Sequence, residues 1–391
     1  MEARDISIYI HYPFCKKKCP YCDFNSHVAT TNPKTNEWLK AYTNEIDFYF
    51  TNILKQGVKY NIKTIFFGGG TPSLMGEALV GGIINNLAKQ ASIDANCEIT
   101  LEANPSSFEA QKFAGFKEAG INRVSIGVQA LNDADLQTLG RLHDAQTAIK
   151  AVHLASSIFD NYSIDLIYAR HGQKLQDWKT ELNFALSNLV KNHISLYTLT
   201  IEKGTEYYSL ARAGKIIVPE GDASYDFYNL TDELTGAAGF GKYEVSNYAK
   251  TGFECRHNIA YWTMQDWIGI GAGAFSRYTI DGCRFAANSF HEPQKWLDAS
   301  SLRGNALQTN CKLEGFDIAH EALMMGLRTS AGVDLNFVRQ KFNLNILDFV
   351  NKQKLQQLLD AGMLELNNNN NNLKASKAGL CVLNSVINSL I

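Results

Sequence analysis

Three cysteines fall within eight residues, in Cys15-Lys16-Lys17-Lys18-Cys19-Pro20-Tyr21-Cys22, directly after a strand-like run, while Cys97, Cys255, Cys283, Cys311 and Cys381 are scattered singly. Structural zinc normally takes two CxxC-type pairs. His11, Asp23 or His27 could supply a fourth ligand here, but the CxxxCxxC spacing is not the usual one. Plain thiols are a third reading. Three thiolates suit a [4Fe-4S] cube better, because one iron is left open to take the amino and carboxylate groups of S-adenosylmethionine. The lysine triplet serves as a solvated loop in any of these cases; beside a cluster it would also favour thiolates and could dock an acidic electron donor. A second signal is Phe66-Phe67-Gly68-Gly69-Gly70-Thr71-Pro72. Its ordinary role is a tight turn. At the end of a parallel strand, however, a glycine backbone can hydrogen-bond the amino group of a bound cofactor.

The elements that must carry these residues follow a βαβ rhythm. Strands are predicted at Ile6 to Ile10, Ile62 to Phe67, Glu98 to Ala103, Arg123 to Val128, Tyr162 to Tyr168 and His193 to Ile201. Between them come helices at Lys34 to Lys55, Glu77 to Ala91, Phe108 to Ala119, Asp133 to Phe159 in two pieces, and Leu175 to Leu189. Six parallel strands make either an open doubly wound sheet or a partial barrel, and periodicity does not choose. Beyond Ile201 lie a helix near Ala223 to Gly236, the Gly269 to Gly273 stretch and a helix at Gln294 to Ala299, read as later elements of the barrel.

From Cys311 the chain turns helical: Phe316 to Leu327, Asn336 to Phe342, Asn345 to Ala361, a short hairpin from Met363 to Leu366 with the six asparagines 367–372 at its tip, and a helix from Lys377. The layout is winged-helix-like. Its 8 Lys+Arg against 7 Asp+Glu argue against DNA binding. Domains are therefore expected at 1–310 and 311–391.

The whole chain of 391 residues carries 37 Lys+Arg and 39 Asp+Glu, a net charge of −2, which excludes a dedicated nucleic-acid binder. The longest apolar run, Trp267 to Phe275, is far short of the roughly 18 to 20 residues of a membrane span. Met1 to Asp5 leads straight into a strand and leaves no room for a signal peptide. A cytoplasmic protein with reduced cysteines is expected.

At these residues the sequence resembles the radical S-adenosylmethionine superfamily, in its coproporphyrinogen dehydrogenase/HemW branch. The marks run from Tyr9-Ile10-His11-Tyr12-Pro13-Phe14-Cys15 and Cys19-Pro20-Tyr21-Cys22-Asp23-Phe24 through the glycine turn to Glu102-Ala103-Asn104-Pro105, Ser125-Ile126-Gly127-Val128-Gln129, Leu139-Gly140-Arg141 and Ile164-Asp165-Leu166-Ile167-Tyr168. The resemblance implies a partial (β/α)6 barrel, with Cys15, Cys19 and Cys22 on the cluster. Tyr9 and Tyr21 would flank cluster and cofactor, and Gly69, Gly70 and Thr71 would hold the methionyl end. Glu102, Gln129, Arg141, Asp165 and Thr198 would line the rest of the pocket. A carboxylate at a strand end accepts from ribose hydroxyls or an amino group, and Arg141 offers a charge-assisted fork to a carboxylate.

Phe24, where the decarboxylases of the branch carry a further cysteine, and a first cluster cysteine already at residue 15 point to the HemW-like haem chaperones. So does Cys255-Arg256-His257-Asn258-Ile259-Ala260-Tyr261-Trp262, which matches their HNxxYW signature. That match implies His257 as an axial haem ligand, with Tyr261 and Trp262 packing the macrocycle and Cys255 as the rival ligand from an extended segment. Without the family, a histidine beside aromatics reads as a core residue. Phe275 stands where the group often has histidine, and Ala169-Arg170-His171-Gly172 replaces a Gly-Leu-Pro-Gly turn.

The first hypothesis is a haem chaperone using a [4Fe-4S] cluster and S-adenosylmethionine to serve respiratory haemoproteins, with a flavodoxin-like electron donor and peripheral membrane contact. The alternative is an oxygen-independent coproporphyrinogen III dehydrogenase, in which a 5′-deoxyadenosyl radical starts the loss of two propionates as vinyl groups and CO2.

Overall fold

The computed structural model of the chain describes residues 3–29, 33–54, 56–367, 369 and 371–391, without the side chains of residues 107 and 108. Of the expectations above, Met1, Glu2, the Lys55 end of the first helix, the Phe108 side chain and Asn368 and Asn370 of the hairpin tip lie outside these. The six predicted strands are present as β1 (Arg4–Tyr12), β2 (Tyr60–Gly69), β3 (Ser92–Ala103), β4 (Arg123–Gln129), β5 (Asn161–Tyr168) and β6 (His193–Thr198). They are parallel and lie side by side in chain order. Between them run α1 (Thr35–Phe48), α2 (Glu77–Gln90), α3 (Phe113–Glu118), α4 (Ala145–Ile158) and α5 (Leu175–Asn188). Right-handed crossovers that always step the same way leave every helix on one face of the sheet, whereas a doubly wound sheet must reverse direction once. Strand order thus selects the barrel-type winding, although among the described residues the strands do not close on themselves.

Strand alternation explains the two faces. Ile6, Ile8 and Ile10 of β1, Ile65 and Phe67 of β2, and Val124 and Ile126 of β4 are buried with the helices in one apolar core. From α1, Trp38, Ala41, Tyr42 and Ile46 join them at helical spacing. Burying each such side chain stabilises the layer by about 1.5 to 3 kcal/mol. The residues between them are polar and point inward: Ser7 and His11, Thr64, Glu98 and Thr100, Arg123 and Ser125, Ser163, and His193 and Ser195, all buried. Chemistry is therefore confined to the helix-free side.

The later strands extend both edges. β7 (Gly241–Glu244) and β8 (Asn247–Ala249) continue from β6, and β9 (Trp267–Ile270) pairs parallel with β1 on its other side. β10 (Phe275–Ile280), β11 (Cys283–Ser289) and β12 (Leu307–Lys312) then follow antiparallel. Helices α6 (Gly221–Ala237), α7 (Arg256–Trp262) and α8 (Pro293–Arg303) lie among them. The expected extended segment at Cys255 to His257 is corrected here: Cys255 is the cap residue of α7, and His257 lies in its first turn.

Residue 311 falls inside β12, and the helical segment begins with α9 (Gly315–Gly326). It continues with β13 (Val333–Asp334), α10 (Leu335–Phe342), α11 (Lys352–Asp360), the hairpin strands β14 (Leu364–Leu366) and β15 (Asn372–Ala375), and α12 (Leu383–Leu390). Leu323, Val338, Leu373 and Val386 belong to its own apolar core.

Candidate functional site

A cavity of about 410 Å³ opens at the C-terminal ends of the six strands. All three clustered cysteines reach it, together with Gly69, Gly70 and Thr71 from the turn after β2 and with Tyr21, Glu102, Gln129, Arg141, Asp165 and Thr198. Cys15 is held by the short parallel pairing of Phe14–Cys15 with His27–Val28. Its Sγ donates to the His27 carbonyl at 3.6 Å. Cys19 Sγ accepts from Arg141 at 3.5 Å, and Cys22 Sγ lies 3.7 Å from Ser26 Oγ. Burial raises the Cys15 pKa, and the neighbouring Cys22 and Cys19 raise it further. Three crowded thiols, whose thiolate forms would repel one another, suit an iron cluster, because positive metal charge relieves that repulsion.

The glycine turn owes its composition to close approach. A Cβ on Gly70 would sit 2.6 Å from the Phe14 carbonyl oxygen, and Gly69 adopts φ +119°. Gly70 N donates to Tyr12 O at 2.7 Å, and Gly69 N to Glu102 Oε2 at 3.1 Å. With both amides engaged, the turn offers a cofactor its carbonyl oxygens, the acceptors that an ammonium group needs.

Two carboxyls face one another across the floor. Glu102 is pushed up to about 8 by burial and then by Asp165. Burial likewise raises Asp165, which accepts from Ser125 Oγ at 3.1 Å. Such a pair favours a cationic guest, and S-adenosylmethionine carries a sulfonium and an ammonium. Arg141 divides its donors: besides Cys19, it reaches Asn104 Oδ1 at 2.6 Å and the Gly127 carbonyl at 2.9 Å. Gln129 holds a left-handed φ of 69°, a strained backbone at the cavity wall.

Sequence reasoning left Asn104, Ser125, Gly127 and Tyr197 unassigned, although all line the cavity. Asn104 also donates to Thr71 Oγ1 at 3.1 Å, so it joins the glycine turn to Arg141. The signal was the two-residue repeat: Ser125, Gly127 and Gln129 continue one inward-facing row, as do Glu102 and Asn104.

Two expected residues stand apart. Tyr9 lies beneath the glycine turn, its hydroxyl 3.0 Å from His11 Nδ1 and its ring stacked on Phe66. His257 is buried, with Nδ1 2.7 Å from Thr64 Oγ1 and Nε2 2.8 Å from Tyr261 Oη. Phe66 stacks on it at 4.9 Å. With both nitrogens engaged, the imidazole has no lone pair left for iron, so the expected accessible ligand is corrected to a core residue in this conformation. The Tyr261 ring packs against Trp267. Cys255 is also buried, donating to Glu98 Oε1 at 3.5 Å. The replaced turn has a structural role: buried Arg170 pairs with Asp135 and Glu181, each at 2.6 Å.

Comparison with known proteins agrees with this geometry. The family described as the Radical SAM superfamily matches residues 9–185, and the HemN C-terminal domain matches residues 314–382. The chain is 34% identical to the mitochondrial radical S-adenosyl methionine domain-containing protein 1 of Mus musculus, over 98% of this chain and 87% of that one. It is 35% identical to the heme chaperone HemW of Escherichia coli (strain K12), over 83% and 82%. The HemW of Bacillus subtilis (strain 168) is 33% identical over 92% of each. Among solved structures, the coproporphyrinogen III oxidase HemN of Escherichia coli superimposes with a TM-score of 0.80, covering 99% of this chain and 90% of that one at 21% identity.

Proposed function

The chain belongs to the radical S-adenosylmethionine superfamily, in the branch that holds HemW and HemN, and from that premise we propose that it is a haem chaperone. In this reading Cys15, Cys19 and Cys22 hold a [4Fe-4S] cluster, and the cavity beside them holds S-adenosylmethionine. When bound, the cluster supplies a single electron and one iron open to a ligand. The chain's own groups do the rest: the Glu102 and Asp165 carboxyls meet the cofactor's positive charge, Arg141 donates to its carboxylate, and the glycine carbonyls accept from its amino group. The observation that carries the reading is this convergence of three thiols, a glycine turn and two buried carboxyls on one cavity.

Haem as cargo is supported by the likeness to HemW proteins over 83 to 92% of the chain. Respiratory haemoproteins are the proposed recipients, in the cytoplasm or at a membrane surface; among the described residues no helix is long and apolar enough to cross a membrane. The lysines 16 to 18 give an acidic, flavodoxin-like donor a place to dock next to the cluster. The domain division expected at 310/311 is proposed to fall just after β12 instead, between Lys312 and Gly315.

The test is transfer. Chain loaded with haem should pass it to an apocytochrome, and should not convert coproporphyrinogen III to protoporphyrinogen IX in the presence of reductant and S-adenosylmethionine. Robust conversion would establish the dehydrogenase alternative instead. The fold shared with HemN does not favour that alternative, because Phe24 stands at the position of the further cysteine.

A further inference from the structure

An imidazole with an available nitrogen is one common way to hold haem iron, and the nine histidines can be sorted by their hydrogen bonds. His11, His193 and His257 are buried with both ring nitrogens engaged. His143 bonds the Val128 carbonyl, His171 takes the Ile217 amide, and His27 bonds Asn25. His153, His291 and His320 make no ring hydrogen bond among the described residues. His320 meets Phe316 on α9, far along the chain from the cluster cysteines. His291 is joined directly to the loop that follows them.

That joint is Asn25, three residues after Cys22. Its Nδ2 donates to the carbonyls of Ala272 and His291, each at 2.9 Å. The orientation of its amide is thereby fixed, so Oδ1 faces His27 Nε2 at 3.0 Å and that nitrogen carries the proton. Gly273 must be glycine here, with φ +76° and Asn25 only 2.3 Å from where its Cβ would be. The backbone of His291 is therefore held in place, and its exposed imidazole makes no hydrogen bond among the described residues, so its nitrogens are accessible to iron. Phe275, 52% exposed, lies 6.5 Å from the imidazole at 77°. An axial imidazole stands perpendicular to the macrocycle, so a phenyl set nearly perpendicular to the imidazole can lie along the porphyrin plane. Lys295, four residues after His291 and with Nζ 4.4 Å from the centre of the Phe290 ring, would supply a cation for propionates.

We propose that this face binds an iron porphyrin, with His291 as its axial ligand and Phe275 along the macrocycle, outside the cavity that takes the cluster and S-adenosylmethionine. The proposal rests on the haem-carrier reading and gives it a site. It also lets cargo and cofactor be held at once, since neither residue lines that cavity.

The experiment is a titration of ferric haem into the cluster-loaded chain, followed by visible absorption. His291→Ala should weaken binding by about tenfold or more and shift the spectrum. Added imidazole should restore the spectrum, while cluster iron and S-adenosylmethionine binding stay unchanged. Phe275→Ser should weaken binding several-fold and leave the ligand spectrum in place. His257→Gln and His320→Ala should bind haem as the unmodified chain does. If His291→Ala binds normally, or if only His257→Gln or His320→Ala changes the spectrum, this site is overturned and the carrier reading stands. If the unmodified chain binds no haem at one per chain, the carrier reading falls and this site with it.

Discussion

Glu102 holds its proton into the neutral range because burial, and then Asp165, make the carboxylate unfavourable. A cationic guest reverses that preference, so S-adenosylmethionine binding should release a proton below about pH 8. Affinity should rise with pH by at most about tenfold per unit and level off near that value. Glu102→Gln should bind more weakly and with little pH dependence. Calorimetry in buffers of different ionisation enthalpy measures both effects, and proton-free binding by the unmodified chain would contradict them. In stability the sign is opposite. The folded state holds the Glu102 proton between about 4.5 and 8, so its contribution is lost as pH rises through that window. The cysteines give a separate expectation. Cys15→Ala, Cys19→Ala or Cys22→Ala should each remove most of the cluster iron after anaerobic reconstitution, whereas Arg141→Lys should keep the iron and lose about tenfold in S-adenosylmethionine affinity, having lost the guanidinium fork. Iron and sulfide analysis beside equilibrium binding separates the two.

At the scale of elements, α7 is a seven-residue helix that would not hold alone. It is fixed by Glu98 of β3, whose carboxylate accepts from the amides of Arg256 (3.3 Å) and His257 (3.2 Å) at the helix start. His257 then ties it to Thr64 of β2. His257→Ala should therefore destabilise the fold by about 3 kcal/mol, through two broken buried hydrogen bonds and a lost ring contact. Burial lowers the His257 pKa to about 3, so the unfolded chain binds the extra proton between about 6.5 and 3. The stability it contributes should fall as pH drops through that window, by at most about 1.4 kcal/mol per unit. Urea melts of His257→Gln should show a shallower acid loss than the unmodified chain. This helix also marks the limit of sequence reading. The six strands were legible because buried β-branched runs alternate with helices, and the cavity was legible because cysteine spacing and the glycine turn are local patterns. The role of His257 was legible only in part: a histidine beside Tyr261 reads as a core residue, but its other partners, Thr64 and Glu98, are brought to it by the fold. The pairing of β9 with β1 was not legible, since it joins residues some 260 apart in sequence.

At the scale of the molecule, the barrel and the C-terminal helices meet at a buried cluster of charges. Arg277 reaches Glu321 of α9 at 2.6 Å, and fully buried Arg284 lies 3.3 Å from Asp266 and 3.8 Å from Glu321. Lys341 of α10 joins Asp266 at 2.8 Å and donates to the Met264 carbonyl. Three cations thus face two carboxylates, and burial lowers the pKa values of both Arg284 and Lys341. The charges are sustained by one another, and apolar packing alone would not tolerate them. Removing one carboxylate should leave Arg284 and Arg277 opposed with Asp266 as the remaining anion. Glu321→Gln is therefore expected to destabilise the chain by about 3 kcal/mol. It should also uncouple the two parts, so that one denaturation step in the unmodified chain becomes two. Glu321→Asp, shorter but charged, should recover part of the loss. Fluorescence and circular dichroism followed together in urea distinguish these cases, because the chain's five tryptophans, at 38, 178, 262, 267 and 296, all precede α9. A single coincident transition in Glu321→Gln, at the unmodified midpoint, would mean that Met264 and the apolar side chains around it hold the C-terminal segment without the charges.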